Sequence, residues 1–466
     1  MHSRIAGLLL SAGLASAQAL APASTPQASD VDSVFSRWTH DTPGCAVGIA
    51  AGGTRVLERA YGMADLERDV PNAPDTIFEA GSVSKQFTAM AVLLLARDGK
   101  LSLDDPVRKY VPEVPDYGSP LTIRHLLTHT SGLRDWGSIE AIAGWPRTSR
   151  VYTHAHVLDI VSRQKALNFT PGTHWSYSNT GYNLAAIIVS RVSGKPFSEF
   201  TSERIFKPLG MTRTSWRDDF TRVVKHRAIA YDRRPDGYHQ DMPFENVHGN
   251  GGLLTTVGDL LRWNANFDAP LVGDAALVKQ EQARGTFTDG REHDYAFGLF
   301  LGTYRGVREV SHSGTTASYQ AFLARYPDQH VSVAVLCNAG EANATLFAHR
   351  MADVYLGSAL AALVAVPIGP GPPPPFRGPS SDELKSYVGR YVSDEAETEF
   401  TIVGDGDRLV LKQRPDVALP MQPVAADAFM VSRIGTVTFM RNASGGVTQL
   451  SVKQGRVWDL RFQRQD

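Results

Sequence analysis

The run Pro367-Ile-Gly-Pro-Gly-Pro-Pro-Pro-Pro375 most limits how this chain can fold. Proline fixes φ and lacks an amide proton, so such a stretch enters neither a helix interior nor a central strand. It reads as a stiff, extended polyproline-type spacer. A linker is therefore expected over 364–379, separating a long unit at 31–363 from a short one at 380–466. With 466 residues the chain is long enough for several sizeable cores.

The two sides of the linker carry different patterns. Before it, strand-like runs at Cys45–Ala51 and Arg55–Tyr61 flank the turn Gly52-Gly53. Further strand signals stand at 295–302, 307–311, 318–326 and 331–337. Between them, residues 100–265 read mostly as helix, for example at Ile123–Thr128, Thr180–Ser193 and Thr256–Asn266. Strands that bracket a helical block predict an α/β (α+β) layer of sheet and helices with a helical subdomain. After the linker come Tyr387–Tyr391, Glu399–Val403, Arg408–Gln413, Thr436–Met440, Thr448–Lys453 and Val457–Gln463, spaced by Gly, Asp and Asn turns. These predict a small all-β barrel or sandwich. Trp458, Phe462, Tyr391 and Phe400 are expected in its core.

Composition excludes several function classes. A net charge of −1 without a basic or acidic run offers nothing to nucleic acid or an anionic membrane surface. No apolar segment reaches the roughly 20 residues of a membrane span. His2 and Arg4, the apolar run from Ile5 to Ala15, and the small-residue sites Ala15-Ser16-Ala17 and Ala17-Gln18-Ala19 read as a signal peptide over 1–19. A short anchor helix is the alternative. The expected location is periplasmic or secreted, and the Ala/Pro/Ser-rich residues 20–30 are expected to be disordered. Cys45 and Cys337 each lie in a strand-like run. Buried free thiols are expected, and a bridge requires those strands to be neighbours.

Three segments carry chemistry. Ser82-Val83-Ser84-Lys85 stands between an extended segment and a helical run from Gln86 to Arg97. This places the lysine one helical turn after the serine, on the same face. An amine beside a hydroxyl takes its proton, and a helix N-terminus favours the resulting negative charge. Alone, the tetrapeptide is an ordinary helix start. Tyr177-Ser178-Asn179 lies in a polar loop before a helix and aims a phenol and an amide into one cleft. A phenol near an ammonium can act as a general base. His312-Ser313-Gly314-Thr315 falls between strand-like segments, with a glycine that lets a substrate approach and a histidine able to donate a proton near pH 7. Read singly, these are a buried Tyr with a capping Asn and a hairpin turn with a surface His.

In this order and spacing the motifs resemble those of the penicillin-recognising serine hydrolases: class C β-lactamases, D,D-carboxypeptidases, D-aminopeptidases and related esterases of the S12 peptidase type. The flanking segments Leu121–Leu133, Pro171-Gly172, Pro208–Met211 and Gly251–Thr256 look similar as well. The resemblance covers about residues 30–350. It implies a β-lactamase-like antiparallel sheet flanked by helices and a helical subdomain. It assigns Ser82 as acylated nucleophile, Lys85 as its activator, Tyr177 as a base shared with Lys85, and Asn179 as holder of the substrate amide. His312 would assist catalysis. Gly314 and Thr315 would line the substrate, the N–H groups of Ser82 and Thr315 forming an oxyanion hole. No metal or cofactor is implied. The unit at 380–466 resembles the lipocalin-like domains appended to such hydrolases.

At the third motif β-lactamases carry Lys-Thr-Gly, whose lysine suits a substrate carboxylate; histidine is mostly neutral at pH 7. His-x-Gly resembles D-aminopeptidases, D-peptidases and esterases. The expectation is therefore a secreted serine hydrolase of small peptide, amide or ester substrates. A β-lactamase or D,D-carboxypeptidase is the alternative, and a non-catalytic binding protein the second.

Overall fold

The structure is a computed structural model that describes residues 28–362, 376, 378–414 and 416–465. The expected signal peptide and nearly all of the proline-rich linker lie outside these residues. Among the described residues no helix is long and apolar enough to cross a membrane.

Six strands form one antiparallel sheet: β1 (Cys45–Ala51), β2 (Thr54–Tyr61), β3 (Phe300–Tyr304), β4 (Val307–Thr316), β5 (Tyr319–Tyr326) and β6 (Val331–Cys337). Their spatial order is β3-β4-β5-β6-β1-β2, so the first hairpin of the chain joins the sheet beyond its last strand. Alternation in β1 and β6 sorts side chains to two faces. Cys45, Val47, Ile49, Val333, Val335 and Cys337 pack with helices α1 (Ala28–Phe35) and α5 (Ala344–Leu356). Ala46, Ala334 and Leu336 face the other way, onto α4 (Val257–Ala265). A Cβ at Gly48 would lie 3.0 Å from Leu261 and 3.1 Å from Val257, so a glycine lets α4 seat closely on the sheet. Helices α2 (Ser84–Arg97) and α3 (Asn179–Ser193) pack against each other and belong to the interposed helical block. Helix α1 begins at Ala28, inside the segment expected to lack structure.

Two local expectations differ from the structure. His312 to Thr315 lie inside strand β4 rather than between strands. Buried free thiols are not found: Cys45 and Cys337 are directly opposed in the β1–β6 register and form a disulfide. That register joins residues 292 apart in sequence, a pairing that no local pattern encodes. Both cysteines are fully buried. Replacing both by alanine is expected to lower stability by about 2–4 kcal/mol. Urea denaturation of wild type and variant checks this.

The C-terminal unit is a closed eight-stranded barrel. Its strands are β7 (Gly389–Ser393), β8 (Thr398–Asp405), β9 (Arg408–Arg414), β10 (Val417–Ala425), β11 (Ala428–Val431), β12 (Gly435–Arg441), β13 (Val447–Gln454) and β14 (Val457–Gln465). Strand β7 pairs with β14 and leaves no open edge. Tyr391, Phe400 and Phe462 fill the interior, with Phe400 stacked on Phe462 at 4.4 Å. Trp458 departs from expectation: it packs on Phe169 of the helical block, 5.0 Å between ring centroids.

The barrel docks on that block through buried polar contacts. Arg134 donates to Glu395 at 2.5 Å, the two side chains being 1% and 7% exposed. The Lys165 amide donates to the same carboxylate at 2.7 Å. The Trp458 amide donates to Asn168 at 2.9 Å, and Asn168 donates to the Arg456 carbonyl at 3.1 Å. The turn between β13 and β14 is thereby pinned beside the residues described next.

Candidate active site

Ser82 lies in a one-turn 3-10 helix, Gly81–Val83, that runs into α2. The Ser84 hydroxyl donates to the Gly81 carbonyl at 2.6 Å and accepts from the Leu253 amide at 3.1 Å, fixing the turn. Helix α2 is buried from Ser84 through Leu95, so Lys85 projects into protein rather than solvent and is fully buried. Its Nζ has three oxygen neighbours: Ser82 Oγ at 3.0 Å, Asn179 Oδ1 at 2.9 Å and the Asn250 carbonyl at 2.7 Å. Burial, then the charge of Arg456, holds this amine well below the usual lysine value, against an opposing pull from Asp135. A neutral amine fits these partners. It donates to the two carbonyl oxygens and keeps its lone pair for the serine proton.

Tyr177 and Asn179 enter from the start of α3. The Asn179 amide donates to Asp135 Oδ2 at 2.7 Å, which orients the side chain toward Lys85. The Tyr177 ring lies 4.8 Å from Lys85 Nζ and 4.7 Å from the Arg456 guanidinium carbon. Burial nevertheless pushes its phenol above the usual value, with a hydrogen bond to Ser82 and the charge of Arg456 pulling the other way. The phenol is therefore protonated at neutral pH.

Strand β4 brings the third segment against the serine turn. A Cβ on Gly314 would lie 2.0 Å from the Ala80 carbonyl oxygen and 3.0 Å from the Ser82 amide nitrogen. A Cβ on Gly81, which has φ of +50°, would lie 2.6 Å from the Thr315 amide nitrogen. Only a glycine at each position lets the two backbones abut, with the Ser82 and Thr315 amides at the junction. His312 is buried, its Nδ1 2.6 Å from the Ser313 carbonyl and its Nε2 3.0 Å from the Tyr295 hydroxyl. Burial, then Lys85, holds this ring down to about 3. Near pH 7 the imidazole is therefore neutral, with a single ring proton, and forms an uncharged wall of the site.

Ser82, Tyr177, Asn179, His312 and Thr315 line one cavity of about 280 Å³, with Lys85 directly behind Ser82. Sequence reasoning missed Asn250, Arg147, Phe300 and Arg456, which line it too. Asn250 directly precedes the Gly251–Thr256 segment already singled out by resemblance, so a signal existed there. Arg456 lies in a short turn between two barrel strands, with nothing in its surroundings to mark it.

Residues 25–356 match the family model described as Beta-lactamase. Penicillin-binding protein 4* of Bacillus subtilis is 30% identical over 311 residues, covering 63% of this chain and 67% of that protein. The D-aminopeptidase of Brucella anthropi is 30% identical over 318 residues, 68% of this chain and 59% of that protein. The chain thus spans about three fifths of that relative's length. Among solved structures, the octameric penicillin-binding protein homologue from Pyrococcus abyssi superposes with a TM-score of 0.62 at 25% identity, covering 93% of this chain and 98% of its own. A match of that extent places the chain in the beta-lactamase family of serine hydrolases, with a closed barrel at its C-terminal end.

Proposed function

We propose that the chain hydrolyses small amide, peptide or ester substrates through an acyl-enzyme on Ser82. The observation that carries this reading is the buried Lys85 amine, hydrogen-bonded to Ser82 and to two carbonyl oxygens that use its two protons. Ser82 Oγ attacks the substrate carbonyl carbon and its proton passes to Lys85 Nζ. The carbonyl oxygen takes the negative charge, facing the Ser82 and Thr315 amides, each worth about 3 kcal/mol to the transition state. The protonated Tyr177 phenol donates to the departing nitrogen or oxygen as the carbon–heteroatom bond breaks, and the Lys85 ammonium restores its proton. Water then cleaves the Ser82 ester by the reverse proton path. Asn179 holds Lys85 in place and offers its amide to the substrate.

Similarity to a D-aminopeptidase supports substrates with a D-configured acyl residue. The 1–19 segment and the Cys45–Cys337 bridge support export to an oxidising compartment. Fluorophosphonate labelling followed by intact-mass measurement tests the reading. One adduct per chain is expected in the wild type and none in Ser82→Ala. An adduct that survives the substitution removes Ser82 as nucleophile.

The pH profile follows from the same groups. Activity requires neutral Lys85, so it falls as the solution is acidified through that group's depressed pKa. It requires the protonated Tyr177 phenol, whose raised value moves the alkaline limb above the ordinary tyrosine range. His312, held to about 3, adds no inflection between pH 5 and 8. Acylation rates measured from pH 4 to 11 in wild type and His312→Gln check this: the limbs should lie at the same pH in both proteins.

A further inference from the structure

Resting on the acyl-enzyme reading above, we propose that Arg456 of the barrel holds a carboxylate on the leaving group, so that the favoured substrates release an amino acid with a free α-carboxylate.

The argument starts from the charges around the cavity. Lys85 is buried on two carbonyl oxygens and a hydroxyl, and His312 is committed to Ser313 and Tyr295. Arg147 also lines the cavity, but it grips the Glu245 carboxylate through both Nε and Nη2. Beside it, Arg217 is held by Glu79 at 2.7 and 2.9 Å, and that pair is almost wholly buried. Arg456 differs. Its nearest carboxylate is Asp135, at 3.9 Å and outside hydrogen-bond reach. The two Asp135 oxygens already accept from the Ser138 and Asn179 amides. The Arg456 side chain is 42% exposed. Among the described cavity-lining residues it is therefore the cation without a bonded counterion.

Its position selects the side of the substrate. The guanidinium lies over the ring of Tyr177, the group that hands its proton to the leaving atom. An anion on the departing fragment would meet Arg456 there, while the acyl fragment stays on Ser82. A guanidinium suits a carboxylate because its forked N–H groups match both oxygens. The turn that carries it is held through its backbone, the Arg456 carbonyl accepting from the Asn168 side chain and from the Asp135 amide. The side chain is left free to serve a ligand. A cavity of about 280 Å³ suits an amino-acid-sized leaving group.

The test is competition against fluorophosphonate labelling of Ser82 in the full-length chain. D-alanine, D-leucine and D-phenylalanine are compared with their carboxamides as protecting ligands. In wild type the acids should protect at concentrations about tenfold or more below the amides. Arg456→Met should abolish that difference, and Arg456→Lys should restore part of it. Equal protection by acids and amides, or an acid preference that survives Arg456→Met, overturns the inference. Labelling that never occurs at Ser82 overturns the acyl-enzyme reading, and this inference with it. Labelling with no acid preference overturns this inference alone.

Discussion

Lys85→Arg is expected to lower the rate of Ser82 acylation by about 10³-fold or more while the protein still folds. Arginine supplies donors to Asn179 Oδ1, the Asn250 carbonyl and Ser82 Oγ, but a guanidinium does not give up its proton in a protein. The substitution therefore separates the bonding role of Lys85 from its role as a base. Lys85→Met removes both. It leaves the Asn179 and Asn250 carbonyl oxygens without their donor and the Ser82 hydroxyl without its acceptor. Each buried group costs about 1–3 kcal/mol where no water replaces the amine, so inactivity would come with lost stability. Stopped-flow acylation with a p-nitrophenyl ester, alongside thermal melting of each variant, distinguishes the two. Lys85→Arg activity within tenfold of wild type would show that another group takes the serine proton.

The second large effect lies at the barrel interface. Glu395→Ala is expected to destabilise the protein by about 3–5 kcal/mol, because Arg134 would be left charged in a site where its side chain is 1% exposed. Arg134 also donates to the Asp459 carbonyl and to Gln164, contacts that hold its charge in place but do not neutralise it. The double variant Arg134→Met/Glu395→Leu should recover most of the loss, since an apolar pair often replaces a buried ion pair at little cost. Lys165→Ala is the control. Its bond to Asp394 joins side chains that are 67% and 79% exposed, and removing it should cost less than about 1 kcal/mol. Urea midpoints of the four proteins measure this. A Glu395→Ala loss no larger than that of Lys165→Ala would show that the barrel contributes little to the stability of the block beneath it.

What the sequence made legible was what repeats locally or is carried by short motifs. Strand β1 was read to its end residues, because an apolar run bounded by Gly52-Gly53 has one solution. The serine turn and its helix followed from Ser82 and Lys85 one turn apart. Strands β10 and β11 were missed. Pro420 and Pro423 argue against a strand, and the closed barrel tolerates them in β10. His312 was read as a turn histidine able to titrate because its exposure depends on Tyr295 and Phe300, which reach it from a loop and from the neighbouring strand. The disulfide, the lowering of the Lys85 amine's pKa and the arrival of Arg456 all depend on residues distant in sequence. Burial and long-range register are properties of the assembled chain, and no window of neighbouring residues contains them.

The strand order of the main sheet also bears on how the protein is made. Hairpin β1–β2 leaves the ribosome early, yet its sheet partner β6 is nearly three hundred residues further on. Throughout that interval β1 presents an apolar edge with unpaired amides and carbonyls, the kind of surface that invites pairing with other chains. Contacts of such long sequence separation close slowly. A chain interrupted before residue 337 strands that edge permanently, whereas one interrupted after α5 has its sheet complete and lacks only the barrel. Yield of soluble protein from a nested series of C-terminal truncations should therefore drop in a step at β6 rather than decline evenly with length.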